Sequence, residues 1–274
     1  MSTDADRAGA TGGQLGSAWM VDSENPPAEE SAGDRPRRTP TGDGDRDPRG
    51  LWKLPWGAGE AVWVLFAGLL VGGLFAPLLL LPFDSNLESK PALLGAQFLF
   101  GLTMFVFAVL VASRWKRAGL GEALRLLGFR KATLRQFGLA ILVLLGYYAL
   151  ALLFSTFVLM PEQDDIAREL GLRDGNLAIV LLVVAMIVVV APVAEEVFFR
   201  GMLFAGLRTR FSLWPAAIIS GLAFGIPHVT SGPTAAIPLS IFGVALAWVY
   251  NRTGSIWPCI LIHALNNGIA LLAA

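Results

Sequence analysis

From Ala58 onward the chain alternates long apolar runs with short polar breaks. Each run approaches the roughly 20 residues that a helix, rising about 1.5 Å per residue, needs to cross a hydrocarbon core. Seven can be separated: about Gly59 to Leu81, Ala92 to Ala112, Phe137 to Met160, Leu177 to Phe199, Trp214 to Val229, Ala235 to Val249, and Ile256 to Ala273. Pro82, Pro91, Pro161, Pro215, Pro233 and Pro258 lie at or near run ends, where a missing N–H is easiest to tolerate. The pattern predicts an all-α fold, a polytopic transmembrane helical bundle of about seven membrane helices.

Residues 1–50 break this pattern. They are rich in Gly, Asp, Pro, Ser and Arg, with too few large apolar side chains to offset the entropy of ordering them. They are predicted to be a disordered cytoplasmic tail preceding a membrane domain over 51–274. With no short apolar stretch in that tail, the first membrane helix is expected to serve as the targeting signal.

Composition agrees, since 55% hydrophobic and 15% charged residues exclude an ordinary soluble domain. Net charge is zero, but the tail holds ten acids against six bases and the remainder eleven against fifteen. The bases sit at the ends of apolar runs, where they orient helices against the bilayer, so nucleic acid is not an expected partner. The second-to-third connection carries Arg114, Lys116, Arg117, Arg125, Arg130, Lys131 and Arg135, whereas the third-to-fourth is acidic, with Glu162, Asp164, Asp165, Glu169 and Asp174. That asymmetry predicts a multi-pass cell-membrane protein with its N-terminus in the cytoplasm. Cys259 stands alone and can form no intramolecular disulfide.

Three further features have physical readings. Trp52, Trp56, Trp63, Trp115, Trp214, Trp248 and Trp257 lie near predicted membrane boundaries, as interfacial anchors do. Gly68, Gly72 and Gly73 give the first helix a small-residue face suited to packing against a neighbouring helix. The stretch Arg114 to Arg135 mixes basic and apolar residues and suits a segment lying on anionic lipid, with substrate docking as the alternative.

The chemistry concentrates late in the chain. Ionisable residues inside apolar helices cost free energy and mark functional sites. The fourth run ends with Glu195, Glu196 and Arg200; Glu196 and Arg200, four apart, share a helical face and can pair, while Glu195 points about 100° away. Carboxylates in such different settings suit separate acid and base roles. The bland alternative is a cytoplasmic helix end where these side chains meet water. The two histidines fall within later runs, His228 near the end of the fifth and His263 inside the seventh, with Asn267 one turn beyond. A lone membrane histidine is more often an interhelical hydrogen-bonding residue; two, with an asparagine and a carboxylate pair, suit hydrolysis of an activated water. Glu195, His228 and His263 also form a donor set suited to catalytic zinc. Sequence leaves both mechanisms open.

Glu195-Glu196 with Arg200, then Phe224 with His228, then His263 with Asn267, in that order on three late apolar runs, resembles the CAAX-protease and bacteriocin-processing (CPBP, abortive-infection) family over about 174–274. The resemblance implies an α-helical intramembrane endopeptidase. In it Glu195 matches the water-activating glutamate, His228 and His263 match catalytic or metal-binding histidines, and Glu196, Arg200 and Asn267 match the remaining polar motif residues. The family's eukaryotic branch cleaves the last three residues from prenylated proteins; bacterial relatives are described as peptide-processing, immunity or regulatory proteins. Some prenyl-protein members carry an asparagine four residues after the first histidine, where this chain has Gly232, which points away from prenyl-protein cleavage.

The resulting expectation is cleavage of membrane-associated or amphipathic peptides. A non-catalytic immunity or scaffold protein of the same fold is one alternative and a proton-coupled transporter another, the latter weakened by the lack of an internal repeat. Oligomeric state is left open. Straight-helix counting separates His228 from Glu195 in depth, so the chain is expected to break or tilt near Gly225 and Pro227.

Overall fold

A computed structural model describes residues 52–75, 78, 90–114, 119–157, 177–231 and 236–273. The N-terminal tail, the acidic connection before Leu177, Trp115 and Gly232 lie outside the described residues. Among the described residues the chain forms seven long helical bodies and one short helix, with no strand. Apolar side chains all round favour this result, because a helix bonds nearly all its backbone polar groups internally where water is absent.

Helix α1 spans Ala58–Leu70 and widens into a π-wound turn at Val71–Phe75. Its start is a capping arrangement in which Glu60 Oε2 accepts the Gly57 N–H at 2.8 Å. Helix α2 is Lys90–Arg114, α3 the short Leu120–Leu126, and α4 Leu134–Phe157. Helix α5 is composite: Leu177–Ala185, a π-wound turn Met186–Val190, Ala191–Glu196, a second π-wound stretch Val197–Phe204, and a last turn Ala205–Leu207. Helix α6 is Leu213–Gly225, tightening to a 3₁₀ segment at Ile226–Ser231; α7 is Ala236–Thr253 and α8 Trp257–Ala273.

Among the described residues three stretches are long and apolar enough to cross a membrane: Gly95–Arg114, Leu134–Leu153 and Val180–Leu207. Ala58–Leu74, Leu213–Val229 and Trp257–Ala273 are shorter apolar helices. The fourth run does not stop near Phe199, as its polarity suggests, but continues to Leu207. The physical reason is that Glu196 and Arg200 neutralise one another inside the protein, so the helix need not end at water.

Large apolar side chains face outward: Leu142, Leu145, Leu152 and Leu153 of α4 are about half or more exposed, while Ala140 and Leu144 are buried. Lipid tails solvate leucine as well as a protein interior does, so close interior packing falls to small residues. Gly221 and Gly243 bring α6 and α7 together backbone to backbone: a Cβ on Gly243 would lie 2.8 Å from the Gly221 Cα, and one on Gly221 would lie 2.7 Å from the Ser240 carbonyl. Two of the three glycines on the small face of α1 pack as expected, Gly68 under the Phe198 ring and Gly72 under Phe100, whereas Gly73 is exposed with open space where a Cβ would lie.

Two of the tryptophans are not interfacial anchors. Trp52 and Trp56 are buried, at 6% and 1% exposure; the Trp52 ring lies against Phe204 and Tyr250, and Trp56 Nε1 donates to the Met202 carbonyl at 3.2 Å. The continuation of α5 beyond Arg200 supplies Met202 and Phe204, a surface that sequence reading of a shorter helix omits. Trp63, Trp214 and Trp257 remain exposed.

The basic segment after α2 is fastened to the bundle. Ala123 and Leu127 are fully buried, Arg130 Nη1 donates to the Gly254 carbonyl at 2.9 Å, Ser255 Oγ donates to the Arg130 carbonyl at 2.7 Å, and Gln136 Nε2 donates to the Thr253 carbonyl at 3.0 Å. Gly128 makes this clasp feasible, because its φ of 101° is strained for any residue with a Cβ.

Candidate active site

Helix α5 places its two glutamates in different environments because successive residues on a helix point about 100° apart. Glu196 is fully buried. Its Oε1 accepts from Arg200 Nη1 at 3.0 Å and lies 2.8 Å from His263 Nδ1; Oε2 is buried without a hydrogen-bond partner. The helix-end alternative is therefore corrected: neither Glu196 nor Arg200 meets water, each having 0% exposure.

Arg200 is held on several sides. Nη2 donates to the Gly243 carbonyl of α7 at 3.3 Å, and the guanidinium carbon lies 4.5 Å from the Phe224 ring centre. An ion pair, a backbone acceptor and an aromatic face thus surround the guanidinium in place of water.

His263 reaches both carboxylates from α8. A carboxylate only accepts, so the short contact with Glu196 assigns the Nδ1 hydrogen to the histidine. Nε2 then faces Glu195 Oε2 at 3.7 Å, too far for a direct hydrogen bond and suited to a shared water. Glu195 retains 14% side-chain exposure where His263 has 3%, so the carboxylate not locked by arginine is also the more accessible one.

Phe224 joins the two histidines. Its ring centre lies 5.5 Å from that of His228 and 5.4 Å from that of His263. His228 is half-buried, and its Nδ1 lies 3.0 Å from the Phe224 carbonyl; the carbonyl can only accept, so Nδ1 carries hydrogen and Nε2 is the remaining polar atom. The winding change expected near Gly225 and Pro227 occurs at Ile226–Ser231, where α6 becomes 3₁₀. Asn267 is oriented elsewhere, with Nδ2 donating to the Ile187 carbonyl of α5 at 3.0 Å.

Among the described residues no three His, Cys, Asp or Glu side chains gather as a metal-binding group. Glu195 and His263 approach one another, and Glu196 backs His263 as an outer-shell carboxylate would, but His228 does not complete the set. The donors in this arrangement do not fit a three-ligand zinc site.

Sequence reading missed Tyr148 and Asn266. The Tyr148 hydroxyl donates to Asn266 Oδ1 at 3.0 Å, tying α4 to α8 near His263. The available signal was a tyrosine pair inside an otherwise aliphatic run.

The family model described as type II CAAX prenyl endopeptidase Rce1-like matches residues 177–269, the span from α5 to α8. A Bacillus subtilis (strain 168) protein named "Putative membrane peptidase YdiL" is 27% identical over 196 residues, covering 70% of this chain and 75% of that protein. No solved structure matches the chain. The matched span carries the glutamates, Arg200 and both histidines on packed apolar helices, and over it the chain is similar to type II CAAX prenyl endopeptidases of the Rce1-like kind.

Proposed function

We propose that this protein is an intramembrane endopeptidase that hydrolyses membrane-associated or amphipathic peptides, with Glu195 as general base. The observation that carries this reading is the division of labour between neighbouring carboxylates: Glu196 is buried and fixed by Arg200, while Glu195 stays partly accessible opposite His263 Nε2.

A water lying between Glu195 Oε2 and His263 Nε2 would donate one hydrogen to each and turn its oxygen lone pairs toward a substrate carbonyl. Attack forms the C–O bond as Glu195 takes the water proton; collapse breaks the C–N bond, and the proton passes to the departing amine. Glu196 holds the imidazole in the tautomer this step needs, and Arg200 offsets the Glu196 charge. His228 has Nε2 available to accept or return a proton near the substrate. No step runs through a metal, because the donor set is not gathered for one.

The basic second-to-third connection supports a cytoplasmic N-terminus and the same side for the α5–α6 turn, which carries Arg208 and Arg210. The test uses purified full-length protein in detergent, as wild type, Glu195→Gln and His263→Ala, against a membrane-tethered peptide library with and without chelator. Cleavage by wild type that is lost in both variants supports the reading. No cleavage by folded wild type would overturn it in favour of a binding or immunity role.

A further inference from the structure

Pro192 interrupts a backbone ladder at a consequential place. Across the π-wound turn Met186–Val190, backbone donors reach five residues back, and the Ala191 N–H accordingly bonds the Met186 carbonyl. The next donor in this ladder would belong to residue 192 and its acceptor would be Ile187. Pro192 has no N–H. In a membrane helix the acceptor left over must be satisfied by another helix, a side chain or water. Here Asn267 Nδ2, projecting from α8, donates to the Ile187 carbonyl at 3.0 Å.

We infer that Asn267 is a positioning residue that stands in for the absent Pro192 N–H and thereby fixes the α5 segment carrying Glu195 and Glu196. The catalytic consequence rests on the protease reading; the clamp itself does not. Pro192 is buried at the start of the Ala191–Glu196 segment, so a change in winding there rotates the glutamates that follow within one turn. Helix α8 also presents His263 to both glutamates. One helix therefore sets the rotation of the carboxylates and supplies the imidazole facing them, which keeps the Glu195–His263 separation independent of movements elsewhere in the bundle. The Asn267 N–H engaged in this way acts through backbone geometry.

Pro192→Ala restores a backbone donor and should make Asn267 dispensable. Full-length wild type, Asn267→Leu, Pro192→Ala and the double variant are compared in detergent by peptide-cleavage kinetics and by thermal unfolding. Asn267→Asp serves beside Asn267→Leu, because it keeps the side-chain volume and removes the donor. With Pro192 in place, loss of the donor should lower kcat about tenfold, the size of one buried hydrogen bond, with KM changed less than about threefold, and should lower the unfolding midpoint. In the Pro192→Ala background both losses should shrink, to about twofold or less in kcat and to little change in midpoint, because the ladder then has its own donor.

Equal kcat losses in both backgrounds with an unchanged midpoint would overturn the clamp and place Asn267 at the reacting atoms. The unfolding measurement needs no turnover. Coupled midpoints without cleavage by any variant would therefore retain the clamp while sinking the protease reading, and cleavage without coupling would do the reverse.

Discussion

Replacing Arg200 by methionine removes the buried cation while retaining a long apolar side chain against Phe224. Glu196 would then hold a negative charge at zero exposure, with its arginine donor gone and Oε2 already without a partner. Removing one member of a buried ion pair costs about 3–5 kcal/mol, because the partner's desolvation is no longer offset. The Gly243 carbonyl also loses its Nη2 donor, so the loss should sit toward the upper end of that range. The sharper expectation concerns rescue: adding Glu196→Gln removes the stranded charge, so the double variant should recover at least half of the stability lost by Arg200→Met. The assay is reversible unfolding in mixed micelles with increasing denaturing detergent, run on wild type, both single variants and the double as a double-mutant cycle. A cost below about 1 kcal/mol for Arg200→Met, or a double variant as unstable as the two single losses added together, would refute the argument that the pair is a mutually dependent buried unit.

Other expectations follow from the same geometry. Glu195→Gln should lower peptide cleavage by about 10²–10⁴-fold, the usual contribution of a general base, while leaving the unfolding midpoint nearly unchanged; a large midpoint shift would assign Glu195 a structural role. Prolonged chelation should leave cleavage by the wild type intact, since His228 does not join Glu195 and His263 in a three-donor group; loss on chelation with return on zinc addition would show that the donors rearrange around an ion. Gly221→Val should separate α6 from α7, since even its Cβ would meet the Ser240 carbonyl at 2.7 Å, and should cost at least about 1–3 kcal/mol as overpacking does; unchanged unfolding would contradict the backbone-to-backbone contact. Ser255→Ala, which removes the hydrogen bond to the Arg130 carbonyl, should cost about 1 kcal/mol and speed proteolytic nicking near residues 128–133. An unchanged nicking rate would show that the other clasp bonds suffice.

What could be read from the sequence was local. The apolar runs predicted helices rather than strands, and each run has a helical body among the described residues, because a backbone in lipid has few other ways to satisfy its polar groups. Four-residue spacing on one helix predicted the Glu196–Arg200 pair, which forms. Proline and glycine at 225–227 pointed to the change of winding at Ile226. Helix ends were less legible: polarity at Glu195 and Arg200 resembles a boundary until a distant partner buries the charge.

The decisive contacts of the site cross between helices. His263 lies 67 positions from Glu196 and Asn267 lies 80 from Ile187, and no periodicity along one segment encodes such pairings. They depend on which helices pack, how closely glycine lets them approach, and how far each helix is rotated about its axis. The same is true of Trp52 and Trp56, which read as interfacial anchors but fill the space beside the last turns of α5. Sequence by itself determined the helices and the set of chemical groups on them. Only the tertiary structure decided that Glu196 is locked, that Glu195 remains accessible opposite His263, and that Asn267 donates to the Ile187 carbonyl, because those outcomes are set by side-chain shape and helix rotation across interfaces that local spacing does not specify.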